Sequence, residues 1–127
     1  MLLQVYVAHP YGGDPENRKA AAKWVAFFAR LGFAPTATWI VLTGEWDESL
    51  RDRGLAIDCE HISRSDVVVQ VGPHISEGMA KEAEHARVKG IPVINLTGIE
   101  AREALVDYVR ERFRLESRTE FIRRPRT

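Results

Sequence analysis

Apolar residues in this chain fall into short continuous runs, separated by longer stretches in which they recur every three or four positions. Continuous runs of this length are typical of strands that are buried on both faces of a parallel sheet. They predict four strands, at Leu2–Ala8, Phe33–Ile40, Asp66–Val71 and Ile91–Leu96.

The stretches between and after these runs predict helices. Asp14 followed by Pro15 is a good N-cap with proline in the first turn, and Gly32 is suited to end the helix that follows. Thr43–Asp47 is predicted to be a loop. Further helices are predicted from about Glu48 to Ser63, from Ser76 to Gly90 and over about Ile99–Arg114.

Strands that alternate with helices of ten or more residues require βαβ units and a parallel sheet. We therefore expect a single-domain α/β fold, a flavodoxin-like or Rossmann-like three-layer sandwich with four to five parallel strands. The domain is expected to span residues 1–114, followed by an arginine-rich tail at 115–127. Ligands in such folds bind beyond the carboxyl ends of the strands.

The amino-acid composition limits the size of the domain, the partners and the location that we expect. With 127 residues, 45% of them hydrophobic, the chain can form one domain with a substantial core. The 18 basic and 18 acidic residues balance, which does not favour a nucleic acid partner even with the basic tail. The single cysteine, Cys59, fits a reducing compartment, so a cytoplasmic location is expected. The first apolar run is too short for a signal peptide or a membrane span.

Two carboxylates have unusual positions on the predicted helices. Glu82 lies about 60° from Met79, at the edge of its helix's apolar stripe, and Asp58 has the same offset from Leu55. Burial raises the free energy of a charged carboxylate, so each residue either finds a local cap or ion pair or has a shifted pKa suited to acid and base chemistry. The spacing leaves both interpretations open.

The loops at the expected rim carry weaker signals. Ser76 and Gly78 open a helix whose free N–H groups could hold an anion, although Ser76 is equally suited to plain N-capping. The loop with Gly12 and Gly13 matches neither a dinucleotide fingerprint nor a P-loop. The four histidines lack metal-ligand spacing, so neither a metal nor a cofactor is expected. Trp39 and Trp46 are either flat surfaces for a ligand or hydrophobic plugs.

Three segments together are familiar: VYVAHPYGGDPENRKAAAKW, AIDCEHISRSDVVVQVG and SEGMAKEAEHARVKGIPVINLTG. They resemble the nucleoside 2-deoxyribosyltransferase superfamily, nearest the 2'-deoxynucleoside 5'-monophosphate N-glycosidases and their small relatives. The resemblance covers roughly residues 3 to 98. It implies that Glu82 is the nucleophile, that Asp58 contacts the sugar and protonates the departing base, and that Tyr6 orients the nucleophile.

The resemblance also implies that Ser76 and Gly78 bind the substrate. Position at the expected rim of the sheet adds five further candidate substrate contacts, His9, Tyr11, Gly12, Gly13 and Asn95. Serine at position 76 is similar to the nucleotide-cleaving members, where it lies beside the 5'-phosphate. The first loop departs from the family: nucleotide hydrolases have Gly-Ser-Ile-Arg-Gly-Gly there, whereas this chain has no arginine between His9 and Gly13. Arg18, Lys81 or an arginine of a second subunit are the candidate replacements.

The expected function is therefore cleavage or transfer of an N-glycosidic bond in a nucleoside 5'-monophosphate or related nucleotide, without a cofactor. The alternative is a nucleotide-binding sensor or interaction module that uses the same cleft without turnover. Cleavage of larger nucleotides is a third possibility. The resemblance further implies a homodimer with its active site near the interface, and Leu115, Phe121 and Ile122 in the tail are candidate contacts.

Overall fold

The computed structural model describes residues 2–42, 51–99 and Glu111. Its strands are β1 (Gln4–Ala8), β2 (Ala34–Thr36), β3 (Val67–Gln70) and β4 (Val93–Asn95). Its helices are α1 (Pro15–Arg30), α2 (Trp39–Leu42), α3 (Arg51–Ser63) and α4 (Glu77–Val88).

The four strands form one parallel sheet in the order β2-β1-β3-β4. Tyr6 pairs with Val68. Two residues nearer the carboxyl edge, Ala8 pairs with Gln70, which in turn pairs with Asn95. The chain runs from β1 outward to β2 and then crosses back over β1 to β3, so the loops after β1 and β3 leave the sheet side by side. The expected α/β fold with a parallel sheet is confirmed.

The two faces of the sheet are covered by different helices. One face, which we call the α1 face, packs Val5, Val7, Val67 and Val69 against Trp24, Phe27 and Phe28 of α1. The opposite face, the α3/α4 face, packs Tyr6, Ala8 and Val68 against Ile62 of α3 and Met79 and Ala86 of α4. Alternate residues of β1 thus point to different helices, as the pleat of a strand requires.

Capping residues explain where two of the helices begin. The Asp14 side chain accepts a hydrogen bond from Glu16 N at 2.9 Å and starts α1, and Gly32, with φ of 94°, follows its end. Ser76 Oγ accepts from Met79 N at 3.2 Å and starts α4. Both helix starts agree with the sequence pattern.

The second strand is shorter than predicted, because residues from Trp39 onward are helical. Pairing of β1 with β2 ends at Tyr6 and Thr36. Beyond this point the carbonyl oxygen of Val7 accepts a hydrogen bond from the Trp39 indole Nε1 at 3.2 Å. The buried tryptophan thus takes a position at the strand end that a longer β2 would have occupied, and the prediction of a strand through Ile40 was wrong.

Several predictions lie outside the described residues. They are the loop Thr43–Asp47, the helix start at Glu48, the tail at 115–127 and most of the final helix, of which Glu111 is described and is helical. Within the described ranges, no helix combines the length and hydropathy that crossing a membrane would require.

Candidate active site

Tyr6, Glu82 and Asp58 come together at the α3/α4 face. The Tyr6 hydroxyl donates a hydrogen bond of 2.5 Å to Glu82 Oε2, across 76 positions of sequence. Tyr6 is fully buried, and Glu82 is only 7% exposed. Asp58 lies near both residues and affects the pKa of each, while its Oδ1 atom is buried without a partner among the described residues. Two carboxyl groups and a phenol therefore share one site, in which Tyr6 and Glu82 are buried and Asp58 is partly buried.

Three separate elements position these side chains. The pleat of β1 turns Tyr6 toward α3 and α4, while its neighbours Val5 and Val7 face α1. Glu82 lies one turn after Met79, which packs on Tyr6 and Val68. Since α3 and α4 pack against each other, the edges of their apolar stripes meet and bring Asp58 next to Glu82. The site is therefore made by tertiary packing.

Burial dominates the electrostatics of the two carboxyl groups. It raises the pKa of Glu82 to about 8; the Tyr6 hydrogen bond opposes this shift, and the charge and hydrogen bond of Asp58 add to it. Burial likewise raises the pKa of Asp58 to about 6, against the lowering effect of hydrogen bonds from Glu82 and Tyr6. The pKa of the Tyr6 hydroxyl is raised well above its usual value by burial and then by the two carboxylates, so Tyr6 remains a donor.

The two carboxyl groups titrate as a pair. Burial raises the pKa of both, and the nearby charge of Asp58 raises that of Glu82 further. The pair therefore favours a state with one proton near neutral pH. Such a pair contains an acid and a base at once, which is the requirement for bond cleavage with proton transfer to a leaving group.

His9 is held rigidly at the carboxyl end of β1. Its Nδ1 donates to the Pro10 carbonyl oxygen at 2.7 Å, which leaves Nε2 as an acceptor in the neutral ring. Burial lowers the pKa of His9, the Pro10 hydrogen bond opposes the shift, and His74 lowers the pKa further. The ring packs on Gly72, where φ is 100° and an added Cβ would lie 2.8 Å from two ring atoms. The loops after β1 and β3 are thereby locked together.

The remaining predicted substrate residues lie along the same rim but have different surroundings. Tyr11 is half-buried and its ring lies 6.0 Å from that of Trp39, whereas Gly12 and Gly13 are exposed with positive φ. Gly78 is exposed at the start of α4, where an added Cβ would lie 4.0 Å from Ser76 Oγ. Asn95 is exposed, and its Oδ1 accepts hydrogen bonds from the backbone N and the hydroxyl of Thr97.

Ser76 is the N-cap of α4, which agrees with the simpler of its two predicted roles. Because the Ser76 oxygen accepts in this cap, its hydroxyl proton can still donate to a ligand. Of the candidate replacement cations, Lys81 pairs with Glu77 at 3.3 Å, and Arg18 is half-buried in the first turns of α1. Trp39 is buried against the end of β1, so its plug interpretation holds; Trp46 lies outside the described residues. Gln70, a buried polar residue at this rim, was not selected from the sequence.

The fold has a counterpart among solved structures. A 2-deoxyribosyltransferase from the psychrotolerant bacterium Bacillus psychrosaccharolyticus superposes with a TM-score of 0.59 at 22% sequence identity. The match covers 82% of this chain and 80% of the bacterial one. This likeness shows a shared fold and agrees with the superfamily resemblance at that level.

Sequence comparison gives the family. No curated protein matches the chain. A family model described as a domain of unknown function, DUF7768, matches residues 3–96 and therefore includes Tyr6, Asp58 and Glu82. Because this match covers most of the chain, the protein belongs to the DUF7768 family.

Proposed function

We propose that the protein cleaves or transfers the N-glycosidic bond of a nucleoside or nucleoside 5'-monophosphate, with Glu82 as the nucleophile. The observation that carries this proposal is the cluster of Tyr6, Asp58 and Glu82, in which the Tyr6 hydroxyl donates to buried Glu82 and burial raises the pKa of both carboxyl groups. The fold shared with a 2-deoxyribosyltransferase supports the same class of substrate.

The raised pKa values of the two carboxyl groups suggest how the reaction proceeds. The proton of the pair is on Asp58 when the reaction begins, and the Tyr6 hydroxyl stabilises the Glu82 carboxylate through its hydrogen bond. Glu82 then attacks the anomeric carbon and forms a glycosyl ester, while Asp58 donates the proton to the departing base nitrogen. The C–N bond breaks as the ester bond forms, so the pair ends the step with Asp58 ionised.

The second step reverses this chemistry. Ionised Asp58 takes a proton from water or from the N–H of an incoming base as that group attacks the sugar. The ester bond breaks and Glu82 is released as a carboxylate. Attack by water makes the protein a hydrolase, and attack by a second base makes it a transferase. Retention of configuration at the anomeric carbon is expected in both cases, because each step inverts it once.

The substrate extends toward the carboxyl edge of the sheet. The start of α4, with the Ser76 hydroxyl and the open backbone at Gly78, is a suitable place for a 5'-hydroxyl or a 5'-phosphate. The first loop carries no arginine, so a 5'-phosphate would need a cation from elsewhere, such as Arg18 or a second subunit. The homodimer expected from the sequence stays a prediction, which sedimentation would test.

The deciding experiment is a base-release assay on ribo- and deoxyribonucleosides, each with and without a 5'-phosphate. Glu82→Gln should lower base release by roughly a thousandfold or more, because it removes the nucleophile. Glu84→Gln is the matched control: Glu84 lies on the same helix, is exposed and only pairs with Arg87 at 3.7 Å. Equal turnover by the Glu82 variant and the wild type would rule out the assignment.

A nucleotide-binding sensor without turnover is the second candidate. The observation that favours it is the first loop, which carries no arginine between His9 and Gly13, and burial also raises the pKa of Glu82 and so disfavours its nucleophilic carboxylate form. Thermal unfolding separates the two functions: a nucleotide that raises the melting temperature of wild-type protein without any release of base would indicate a sensor.

A further inference from the structure

Gln70 is a buried polar residue at the end of β3. It is 3% exposed, and it interrupts a run of buried valines as the last residue of the strand. Pleating places it on the same face as Val68, and Val68 packs with Tyr6 and Met79 on the α3/α4 face. Its partner across the sheet on one side is Ala8, which also belongs to that face. The Gln70 side chain therefore points to the α3/α4 face, the same face as Tyr6.

The Gln70 carboxamide lacks a hydrogen-bond partner among the described residues, unlike the other buried polar side chains there. Asp66 accepts from Gln4 N, Ser65 donates to His61 O, His9 donates to Pro10 O, and Glu82 accepts from Tyr6. Neither polar atom of this amide is completely enclosed, since Asp58 Oδ1 is the one fully buried side-chain polar atom without a partner among the described residues. The Gln70 amide thus keeps a small accessible area and unused hydrogen-bonding capacity, so it is a candidate ligand contact.

The topology shows which part of a substrate this amide would meet. Gln70 lies two residues beyond Val68, the pairing partner of Tyr6, and so about 6–7 Å nearer the carboxyl edge of the sheet. The chain then continues to Ser76, and α4 packs over β3 and β4. Gln70 therefore lies nearer the carboxyl edge of the sheet than Tyr6 does, at the end of the strand that leads to Ser76.

We propose that the Gln70 carboxamide binds a hydroxyl group on the pentose of the substrate. This inference rests on the proposed function and extends it to sugar recognition. A carboxamide is uncharged and both donates and accepts, which matches a hydroxyl group, whereas a phosphate offers only acceptors and favours cations or backbone N–H groups. Gln70 thus selects the sugar while Asp58 and Glu82 break the bond.

The test pairs one variant with substrates that each lack one hydroxyl. Gln70→Met keeps the size of the side chain and removes its hydrogen bonds. We expect kcat/KM to fall roughly five- to tenfold for the substrate that carries the recognised hydroxyl, and to be unchanged for the 2'-, 3'- or 5'-deoxy analogue that lacks it. Gln4→Met, at the amino end of the sheet, is the matched control and should leave all substrates unaffected.

Two results would overturn the inference: no change in kcat/KM for any substrate, or an equal fall for every analogue. A failure of the proposed function looks different, because wild-type protein would then release no base. In that case the same variant and analogues are compared by nucleoside-induced thermal shift. A shift that Gln70→Met reduces only when the hydroxyl is present supports the inference; equal shifts, or no shift of wild-type protein by any nucleoside, overturn it.

Discussion

The two faces of the sheet are built from the same strands, yet they bury different kinds of side chain. The α1 face buries only apolar groups: Trp24 and Phe27 meet edge to face at 5.4 Å, and Phe27 and Phe28 do so at 5.5 Å. The α3/α4 face also buries a phenol, the Glu82 carboxyl group and an amide, and partly buries Asp58. Adjacent residues of β1 thus have different surroundings: Val5 and Val7 fill an apolar core, and Tyr6 belongs to the proposed site.

This difference indicates that the two faces of the sheet contribute differently to stability and to the proposed activity. Aromatic packing on the α1 face supplies favourable burial without any group that must be neutralised or paired. The carboxyl groups of the α3/α4 face lose hydration when they are charged, and this opposes folding. A single proton shared by Asp58 and Glu82 reduces that unfavourable effect to one charge. We therefore expect stability to depend mainly on the α1 face and activity on the other.

The largest effects are expected from a pair of variants, one on each face of the sheet, compared for both stability and activity. Phe28→Ala should lower the free energy of unfolding by about 3–5 kcal/mol, because it leaves a cavity in the closed aromatic core, and should leave base release per folded molecule unchanged. Glu82→Gln should do the reverse, abolishing base release while unfolding stability stays equal or rises. Denaturant unfolding and the base-release assay measure both quantities.

If Phe28→Ala proves too unstable to purify, Phe28→Leu makes the same comparison with a smaller loss of volume. The proposed division of roles is wrong if a Phe28 variant loses as much activity per folded molecule as Glu82→Gln does. It is equally wrong if Glu82→Gln destabilises the fold as strongly as a cavity in the α1 face.

The pH dependence of stability is the next test, since the titrating cluster lies on one face. The pKa values of Glu82 and Asp58 are raised to about 8 and about 6, so the folded protein binds more protons than the unfolded chain does. Their contribution is therefore fully present below about pH 4 and is lost as the pH rises toward 8. Glu82→Gln should reduce this loss, by at most about 1.4 kcal/mol per pH unit for one proton.

Urea unfolding of both proteins between pH 5 and 9 measures this slope. Glu84→Gln is again the control, because the carboxyl group of Glu84 is exposed. Parallel stability curves for wild type and Glu82→Gln across this range would show that Glu82 is ionised in the folded protein, contrary to the shared proton.

Local sequence signals predicted most of this fold. The run Asp66–Val71 indicated β3 because it is continuous and β-branched, and Asp14-Pro15 located the start of α1 because capping is a local interaction. The stretch after Thr36 has the same aromatic and β-branched character but forms α2. Its conformation depends on the carbonyl group of Val7, which is 32 positions away from Trp39 in sequence. No local pattern contains that contact.

The candidate site was predictable only in part, because its residues also depend on contacts between elements that are distant in sequence. Helical spacing put Asp58 and Glu82 each at the edge of an apolar stripe, but their meeting depends on how α3 packs on α4. Their single proton follows from burial, which one sequence does not give. Gln70 was not predicted as a site residue, because a single polar residue in an apolar run leaves the strand prediction unchanged. Only pleating and the register with Ala8 show that it points to the α3/α4 face.

The smallest expected effects concern the two N-cap residues, which have the same local role on helices that cover opposite faces of the sheet. Asp14 caps α1 and Ser76 caps α4. Replacing either residue by alanine should lower the free energy of unfolding by about 1 kcal/mol, because one backbone N–H loses its partner. Ser76→Ala should in addition raise KM for the preferred nucleoside or nucleotide, whereas Asp14→Ala should leave KM unchanged. Thermal unfolding and substrate titrations of the pair measure both effects. If the two variants shift KM equally, Ser76 acts only as a cap, and the substrate's 5' end does not lie at the start of α4.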